Sequence, residues 1–586
     1  MTPTAVLLAA LAVSPPEAAA DPNTPPDIPV AGYPEPAPAP DGTEAATSDG
    51  DAAPRKPPRL LSTMTGWDPD EQAKISAWRA DPDAPKVVTS DGEPPVDRSR
   101  HRFHFTPDLQ VRTRLGAVSE FSLDRDGTQI GEGLEVGGRV RWRPVFGFGV
   151  REQLQIVGML DVANGQWAPR GSNDPVVQDI IDNGQPPVAT DFRVVDPREL
   201  YLQWTTRVGQ LRLGQMSFSW GLGLVANDGN NMDRFGDMKF GNDGDGSIQE
   251  RILFGTKPFA RAGGAGKDVV VALGADLVFR DPNASLVDGD LAGQGIAVVR
   301  WQPEHAPGNW IGAYGAYRKQ RSADDGDIYP DDSDLEVGVI DFAGQGAKQV
   351  RPKLTLIGAF EAAMIAGRTT FARGDFEQHR VLQAAGAVRG YLGNPKTWLF
   401  GFDAGAMSGD TNPDDDQIND FKAAPGYTAG LVMFQYYRGW QTARSQRLAE
   451  DPDLLGVPPN GTQYIPTEGS VTNVVYWHPK ARYAVLERFE LWGGPLLAAS
   501  AVPMADPFAT RLRGGDPTNS LGGRTKRRYL GTELDLGLRG RYELRKVWFQ
   551  AGLQGAVLFP GVGFVDADGE TDKPVWAGWV RAEIRY

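Results

Sequence analysis

The segment Val575-Trp-Ala-Gly-Trp-Val-Arg-Ala-Glu-Ile-Arg-Tyr586 carries the pattern that decides the fold. Trp576, Val580, Ala582, Ile584 and Tyr586 fall on one parity; Arg581, Glu583 and Arg585 fall on the other. Successive side chains of a β-strand point to opposite faces, so this segment has one apolar and one charged face. The same period recurs far upstream. Leu109, Val111, Thr113 and Leu115 interleave with Gln110, Arg112 and Arg114, and Leu134, Val136, Val140 and Trp142 with Glu135, Arg139, Arg141 and Arg143. Leu530, Thr532, Leu534, Leu536 and Leu538 alternate with Gly531, Glu533, Asp535, Gly537 and Arg539.

A soluble sandwich also alternates, because its outer faces are wet. Three features favour a membrane barrel. The segments run for about 9–11 residues, the length a tilted strand needs to cross a bilayer. Connections alternate between short and long: Pro144-Val145-Phe146-Gly147, then residues 162–196; Val208-Gly209, then residues 223–249. Transmembrane barrels have short periplasmic turns and long outer loops. Aromatics also mark segment ends, at Trp204, Trp301, Trp310, Trp398, Tyr529 and Trp548, where an interfacial girdle would sit. The pattern predicts an all-β chain: a transmembrane, antiparallel, up-and-down β-barrel over residues 101–586.

Parity refines the strand number. Nineteen segments alternate, yet both ends of such a barrel face the periplasm, so the number must be even. The segment near residues 427–437 has another reading. Pro425 and Pro452 bracket a proline-free stretch in which Met433, Tyr436/Tyr437, Trp440, Ala443 and Arg444/Arg447 recur at helical spacing. A helix inside one long outer loop (residues 408–471), folded into the lumen, leaves about 18 strands, within a range of 16–20.

A final aromatic, with apolar residues at the preceding same-face positions, resembles the insertion signal of Gram-negative outer-membrane barrels. Val580, Ala582, Ile584 and Tyr586 carry it. The resemblance implies recognition by the barrel assembly machinery. Over residues 101–586 the chain resembles outer-membrane porins and the larger alginate-export-type barrels. Such families imply passive passage of solutes or polymers across a Gram-negative outer membrane, without a cofactor. No porin eyelet motif is present, and no energy-coupling box followed by a plug domain points to TonB-type uptake.

The rest of the chain fits an exported protein. It has 586 residues, no cysteine and a formal net charge of -15. The absent cysteines remove disulfides, thiolate metal sites and thiol nucleophiles. No apolar run reaches the ~18 residues of a transmembrane helix. Ala5 to Val13 is a short apolar run, and Ala18-Ala19-Ala20 resembles a small-residue cleavage site, so residues 1–20 read as a signal peptide, without the usual basic residues near Met1. Residues 21–100 read as a mobile periplasmic tail, because 19 of the 46 prolines lie in the first 100 residues. Asp68-Pro69-Asp70-Glu71, followed by Ile75 and Trp78, could start a short helix within it. Residues 1–100 carry a net charge of -8 and the remainder -7.

The polar parity of the strands supplies the candidate site. Arg112, Arg114, Arg139, Arg141, Arg143, Glu533, Asp535, Arg539, Arg581 and Glu583 are the expected lumen-lining residues. A basic pore lowers the barrier to anions, whereas Arg, Glu and Asp ladders that satisfy one another would not. Acidic outer loops hold Asp324, Asp325, Asp327, Asp331, Asp332 and Asp334, and Asp410, Asp414, Asp415, Asp416 and Asp420. Solvated loops are the better reading, with Ca²⁺ or cation-bridged lipopolysaccharide as the alternative. Asp243-Gly244-Asp245-Gly246-Ser247 starts like an EF-hand loop but places Phe254 where the bidentate acid belongs. Gly263-Gly264-Ala265-Gly266-Lys267-Asp268 lacks the first glycine and the Ser/Thr of a phosphate loop. His101, His104, His305, His379 and His478 are scattered, and no nucleophile–base set is visible, so no enzyme, metal or cofactor is expected.

The reading is therefore a porin-like channel of passive type, anion-preferring if the arginines dominate. Its partners would be outer-membrane lipid and lipopolysaccharide, the assembly machinery, and the cell wall through the Pro-rich tail, with no nucleic acid. Two alternatives stand beside it: a closed barrel serving as adhesin or envelope anchor, and a soluble secreted β-rich binding protein.

Overall fold

Backbone pairing closes the chain into a ring. The computed structural model describes residues 103–586 except 132, 149–152, 169–173, 184–191, 207, 230–237, 242–245, 262–263, 304, 307, 324–333, 371–377, 413–414, 456–464, 487, 525 and 545–546. The signal peptide, the tail with its short helix, Asp243 to Asp245, and the acidic residues Asp324 to Asp332 lie outside the described residues.

The wall has eighteen strands. They are β1 (Leu109–Val118), β2 (Gly133–Trp142), β3 (Leu154–Ala168), β4 (Phe192–Thr205), β5 (Gln210–Ser217), β6 (Ile248–Thr256), β7 (Val269–Asp281), β8 (Leu291–Trp301) and β9 (Trp310–Arg321). Then follow β10 (Asp334–Arg351), β11 (Leu354–Thr369), β12 (His379–Asn394), β13 (Trp398–Met407), β14 (Val474–Leu486), β15 (Phe489–Ala499), β16 (Tyr529–Leu544), β17 (Val547–Pro560) and β18 (Val575–Arg585). Each strand pairs antiparallel with the next, and β18 pairs with β1. A closed ring has no edge, so every ladder group finds a partner without water. The number agrees with the parity argument.

At the seam, Leu109 N donates to Tyr586 O at 3.1 Å and Tyr586 N donates to Leu109 O at 2.9 Å. β1 and β2 are prolonged below this point. Phe103–Thr106 pairs with Val145–Phe148 in the register set by β1 and β2, and Val145–Phe148 also pairs with β3. Pro107 and Pro144, which cannot donate to a ladder, mark the interruptions. This corrects the expected turn at Pro144–Gly147: proline there interrupts a strand without ending it, and pairing with β3 continues through Phe148. The first long loop is also shorter than residues 162–196, since β3 reaches Ala168 and β4 begins at Phe192.

The exterior is apolar. Leu134, Leu200, Leu273, Val299, Phe342, Leu382, Phe400, Leu536, Leu553 and Val580 all point outward and are exposed. A continuous belt of this kind is costly in water and stable in lipid, so the wall spans a bilayer. Trp142, Trp204, Trp301, Trp398, Tyr483, Tyr542 and Tyr586 ring its lower rim, while Phe192, Tyr529, Phe559 and Trp576 mark the upper one. Trp310 and Trp548 do not belong to the girdle. Trp310 packs inside against Trp220, ring centroids 4.9 Å apart, and Trp548 shares its parity with the buried Gln550 while Phe549 faces out.

Glycine serves the wall by leaving space. Trp579 lies over its cross-strand partner Gly116, where a Cβ would sit 2.6 Å from the indole, and Trp492 lies over its partner Gly537. Large rings laid across bare backbone fill the inner wall and pin the register.

The outer half of the lumen is filled by loops. A hairpin (Phe121–Ser122 with Gln129–Ile130), a helix (Pro175–Asn183), Leu224, Met238 and Phe240 of the 218–247 loop, residues between Phe421 and Ala443 with Val471 of the 408–473 loop, and Phe564 pack into one apolar core. The expected lumen helix is present but starts later than Tyr427: a π-helical turn, Met433–Arg438, runs into an α-helix, Gly439–Ala449. No helix among the described residues is long and apolar enough to cross a membrane, which leaves strand crossing untouched.

Candidate functional site in the barrel lumen

Inward positions change character along the wall. On β18 they read Val575, Ala577, Trp579, Arg581, Glu583 and Arg585 from the outer to the periplasmic end. On β17 they read Leu558, Ala556, Gln554, Gly552 and Gln550 in the same direction. On these two strands the outer, apolar part meets the loop core and the periplasmic part is polar, whereas on β2 and β16 the loops also meet buried acids, Glu135 and Glu533.

Register places the charged residues in rows. Arg112 lies opposite Glu583 and Arg139, Arg114 opposite Arg581, and Gln110 opposite Arg585 and Arg141. Arg112 Nε donates to Glu583 Oε2 at 2.8 Å, and Gln110 Nε2 donates to Glu583 Oε1 at 2.7 Å. Arg141 holds Asp161 through Nε and Nη2 at 2.7 and 2.8 Å. Such bidentate, charge-assisted pairs stay together where water is scarce. Arg139 is buried between Arg112 and Arg141 and approaches Gln110 Oε1 at 3.4 Å. Arg143 is buried at the lower end of β2. Arg114 and Arg581 lie against the Trp579 ring, at 4.8 and 5.7 Å from its centroid. Arg539 stacks on Trp492 at 4.5 Å and pairs with Glu490 at 2.7 Å.

The structure therefore brings Arg112, Arg114, Arg139, Arg141, Arg143, Arg581 and Glu583 together on one sector, β18 through β2. Arg539 stands on a second. A narrow cleft, with room for little more than a water molecule, lies between Arg112, Trp492, Arg539, Gln550, Gln554, Arg581 and Glu583. Glu533 and Asp535 sit elsewhere, beneath the lumen helix. Glu533 accepts the amides of Leu431, Val432 and Met433, and Asp535 lies 3.4 Å from His478 Nε2. These two carboxylates face the loop rather than open lumen. Other wall pairs complete the ring: Arg251 with Asp276 at 2.7 and 2.8 Å, and Lys480 with Asp403 at 2.7 Å.

The loops are tied to one another by charge. Arg444 Nε donates to Asp124 at 2.9 Å, and Arg447 Nη2 donates to Asp179 at 3.0 Å. Tyr437 donates its hydroxyl to Asp572 at 2.8 Å. Lys422 donates to Pro466 O at 2.8 Å, and burial pushes its ammonium below its ordinary value. The inward 218–247 loop, Trp492, Trp579 and Glu361 carry no sequence motif that singles them out. Their roles arise from strands far apart in the chain.

Val580, Ala582, Ile584 and Tyr586 are all exposed on the lipid face of β18. Among the described residues no group of three His, Asp or Glu side chains is placed to hold a metal ion.

No protein-family model matches the chain, and no curated protein matches it in sequence. Among solved structures it is similar to outer-membrane proteins of Pseudomonas aeruginosa. OccK11 (OpdR) shares 11% identity, covering 82% of this chain and 95% of that one, with a TM-score of 0.41. OprD shares 9% identity over 82% and 94%, with a TM-score of 0.40, and OccK2 (OpdF) 8% over 82% and 97%, with a TM-score of 0.41.

Proposed function

We propose that the chain is a passive, gated channel in the outer membrane of a Gram-negative bacterium, with a preference for anionic solutes. The observation that carries this reading is a closed eighteen-stranded ring, apolar outside, with a sector of buried arginines on its inner wall. Barrels of about 16–18 strands are wide enough for an aqueous channel. Loops fill the outer half of this one, so passage requires them to move. The arginine sector from β18 to β2 would lower the barrier to an anion there, although the acids opposite and beside it, Asp161 and Glu583 among them, moderate the effect.

Reversal potentials of the purified protein in planar bilayers under a salt gradient test the reading. Anion preference is the expected result, and clear cation preference would sink it. The finer resemblance to alginate-export barrels adds an acidic polymer as a candidate cargo, since a cationic lining serves a polyuronate as well as a small anion. Block of the conductance by an acidic polysaccharide, but not by a neutral one, would support the polymer.

One observation favours a second reading, a closed barrel acting as adhesin or envelope anchor: residues 429–441 are buried without interruption inside the barrel. A total lack of discrete openings from correctly assembled protein would favour it. The exposed apolar belt argues against the soluble alternative. Lipopolysaccharide, the assembly machinery and, through the Pro-rich tail, the cell wall are the partners this location implies. We infer no catalytic role.

A further inference from the structure

The two long inward loops are fastened to the wall by the same device. In the 218–247 loop, the amides of Leu222, Gly223, Leu224 and Val225 converge on the carboxylate of Glu361 on β11, at 2.8, 3.0 and 3.4 Å for the last three. In the 408–473 loop, the amides of Leu431, Val432 and Met433 converge on Glu533 on β16, at 2.7 and 2.8 Å for the last two. Each run is preceded by a left-handed glycine, Gly221 at φ +59° and Gly430 at φ +72°. A left-handed residue followed by successive amides curls the backbone into a concavity that binds an anion. Here the anion is a side chain of the wall. The fit is close: a Cβ on Gly221 would lie 2.5 Å from Glu361, and one on Gly430 would lie 2.8 Å from Glu533. A second buried carboxyl group flanks each, Asp341, which accepts from Trp220 Nε1 at 3.2 Å, and Asp535.

Among the described residues neither loop supplies one of the eighteen wall strands; the 408–473 loop adds only a two-residue strand, Gln417–Ile418, which pairs parallel with Arg380 and Val381 of β12. All eighteen wall pairings are made between other segments, so the glutamate contacts fasten the loops, the second of them together with the Gln417–Ile418 pairing, and do not close the barrel. Glu361 and Glu533 are 1% and 0% exposed, and a carboxylate so buried is tolerable only while its lone pairs are satisfied. The wall and the loop therefore need each other in this arrangement.

We propose that Glu361 and Glu533 are latches: positioning residues that hold the two inward loops across the bore and set the shut state of the channel. This rests on the channel reading, and the test separates the two. The chain has no cysteine, so Ala443→Cys, buried in the lumen helix, gives a single reporter thiol. Its reaction with a water-soluble maleimide is measured on detergent-purified full-length protein, beside single-channel conductance.

Slow labelling is expected in the otherwise unaltered chain. Labelling about tenfold faster, with more frequent openings, is expected in Glu533→Gln, the population shift for one lost charge-assisted hydrogen bond. Glu361→Gln is expected to increase openings likewise. If labelling accelerates but no variant conducts, the latch stands and the channel reading falls. If the protein conducts and neither substitution alters openings or labelling, the latch is wrong. Should either glutamate variant fail to assemble, Gly221→Ala and Gly430→Ala disturb the same contacts from the loop side, leaving the wall residues intact. Unchanged conductance in both would overturn the proposal.

Discussion

Arg112 on the first strand and Glu583 on the last are joined across the seam of the barrel, Nε to Oε2 at 2.8 Å, with both side chains buried. They are direct cross-strand partners on the inner face, so the pair sits where the two ends of the sheet close the ring. Its desolvated position makes the interaction strong and its half-removal costly.

Glu583→Ala leaves Arg112 and Gln110 without this acceptor in a buried site. A loss of about 3–5 kcal/mol is expected from breaking such a pair. The temperature at which the folded band disappears in heat-modifiable gels should fall. Arg112→Met with Glu583→Leu should recover most of it, and equal losses in the single and double variants would refute the assignment.

Arg139→Gln and Arg581→Gln remove charge from the cationic sector without touching the lipid face. Anion preference, read from reversal potential under a salt gradient, should decline in each and decline further in the double variant. Selectivity that does not move in the double variant would show that these arginines only brace the wall.

Leu536 lies midway along β16 and faces lipid. Leu536→Arg should cost about 2–4 kcal/mol near the midplane. Denaturant titration in lipid vesicles measures it. The same change at Leu454, exposed in an outer loop, should be almost neutral.

Tyr586 exchanges two backbone hydrogen bonds with Leu109 and presents its ring to lipid. Its deletion removes both the seam contacts and the terminal aromatic. Outer-membrane levels should fall sharply on deletion and stay near normal in Tyr586→Phe. Normal levels after deletion would remove the grounds for an assembly signal at this position.

Asp506 caps the short helix Pro507–Leu512, accepting from Ala509 N at 2.8 Å, and burial pushes its carboxyl above the ordinary value. A raised folded-state pKa means that the fold prefers the protonated group. Its contribution is present below the unfolded pKa and lost as pH rises through the folded one. Asp506→Asn keeps a good cap without the buried charge. The variant should resist proteolysis of the 500–528 loop better at neutral pH, with the advantage shrinking in acid; an advantage that grows in acid would contradict the sign.

The strand pattern was legible because the environment of each residue is set by its own neighbours. Alternation at Leu109–Val118 and Val575–Arg585 gave the faces, and proline spacing around Trp440 revealed the helix. Pro144 misled because proline usually ends a ladder, yet on an interrupted strand its missing donor is harmless. Trp310 misled because a tryptophan near a strand end suits the girdle, whereas its parity and Trp220 place it inside. Glu533 reads in sequence as one more polar residue facing the lumen. Nothing within β16 says that three amides from a loop about a hundred residues earlier will cover it.

What the sequence determines alone is therefore periodic and local: which positions face lipid, how many strands fit the parity, and where a helix interrupts them. Those properties follow from the two-residue repeat of a strand and the polarity of its surroundings. The tertiary structure alone decides what the inward residues meet. Ring closure sets Arg112 against Glu583, 471 positions apart in sequence, and loop entry covers the outer part of the inner wall, including buried acids such as Glu533, while leaving the arginine sector toward the periplasm. Both depend on contacts between segments distant in sequence, which no local period can encode.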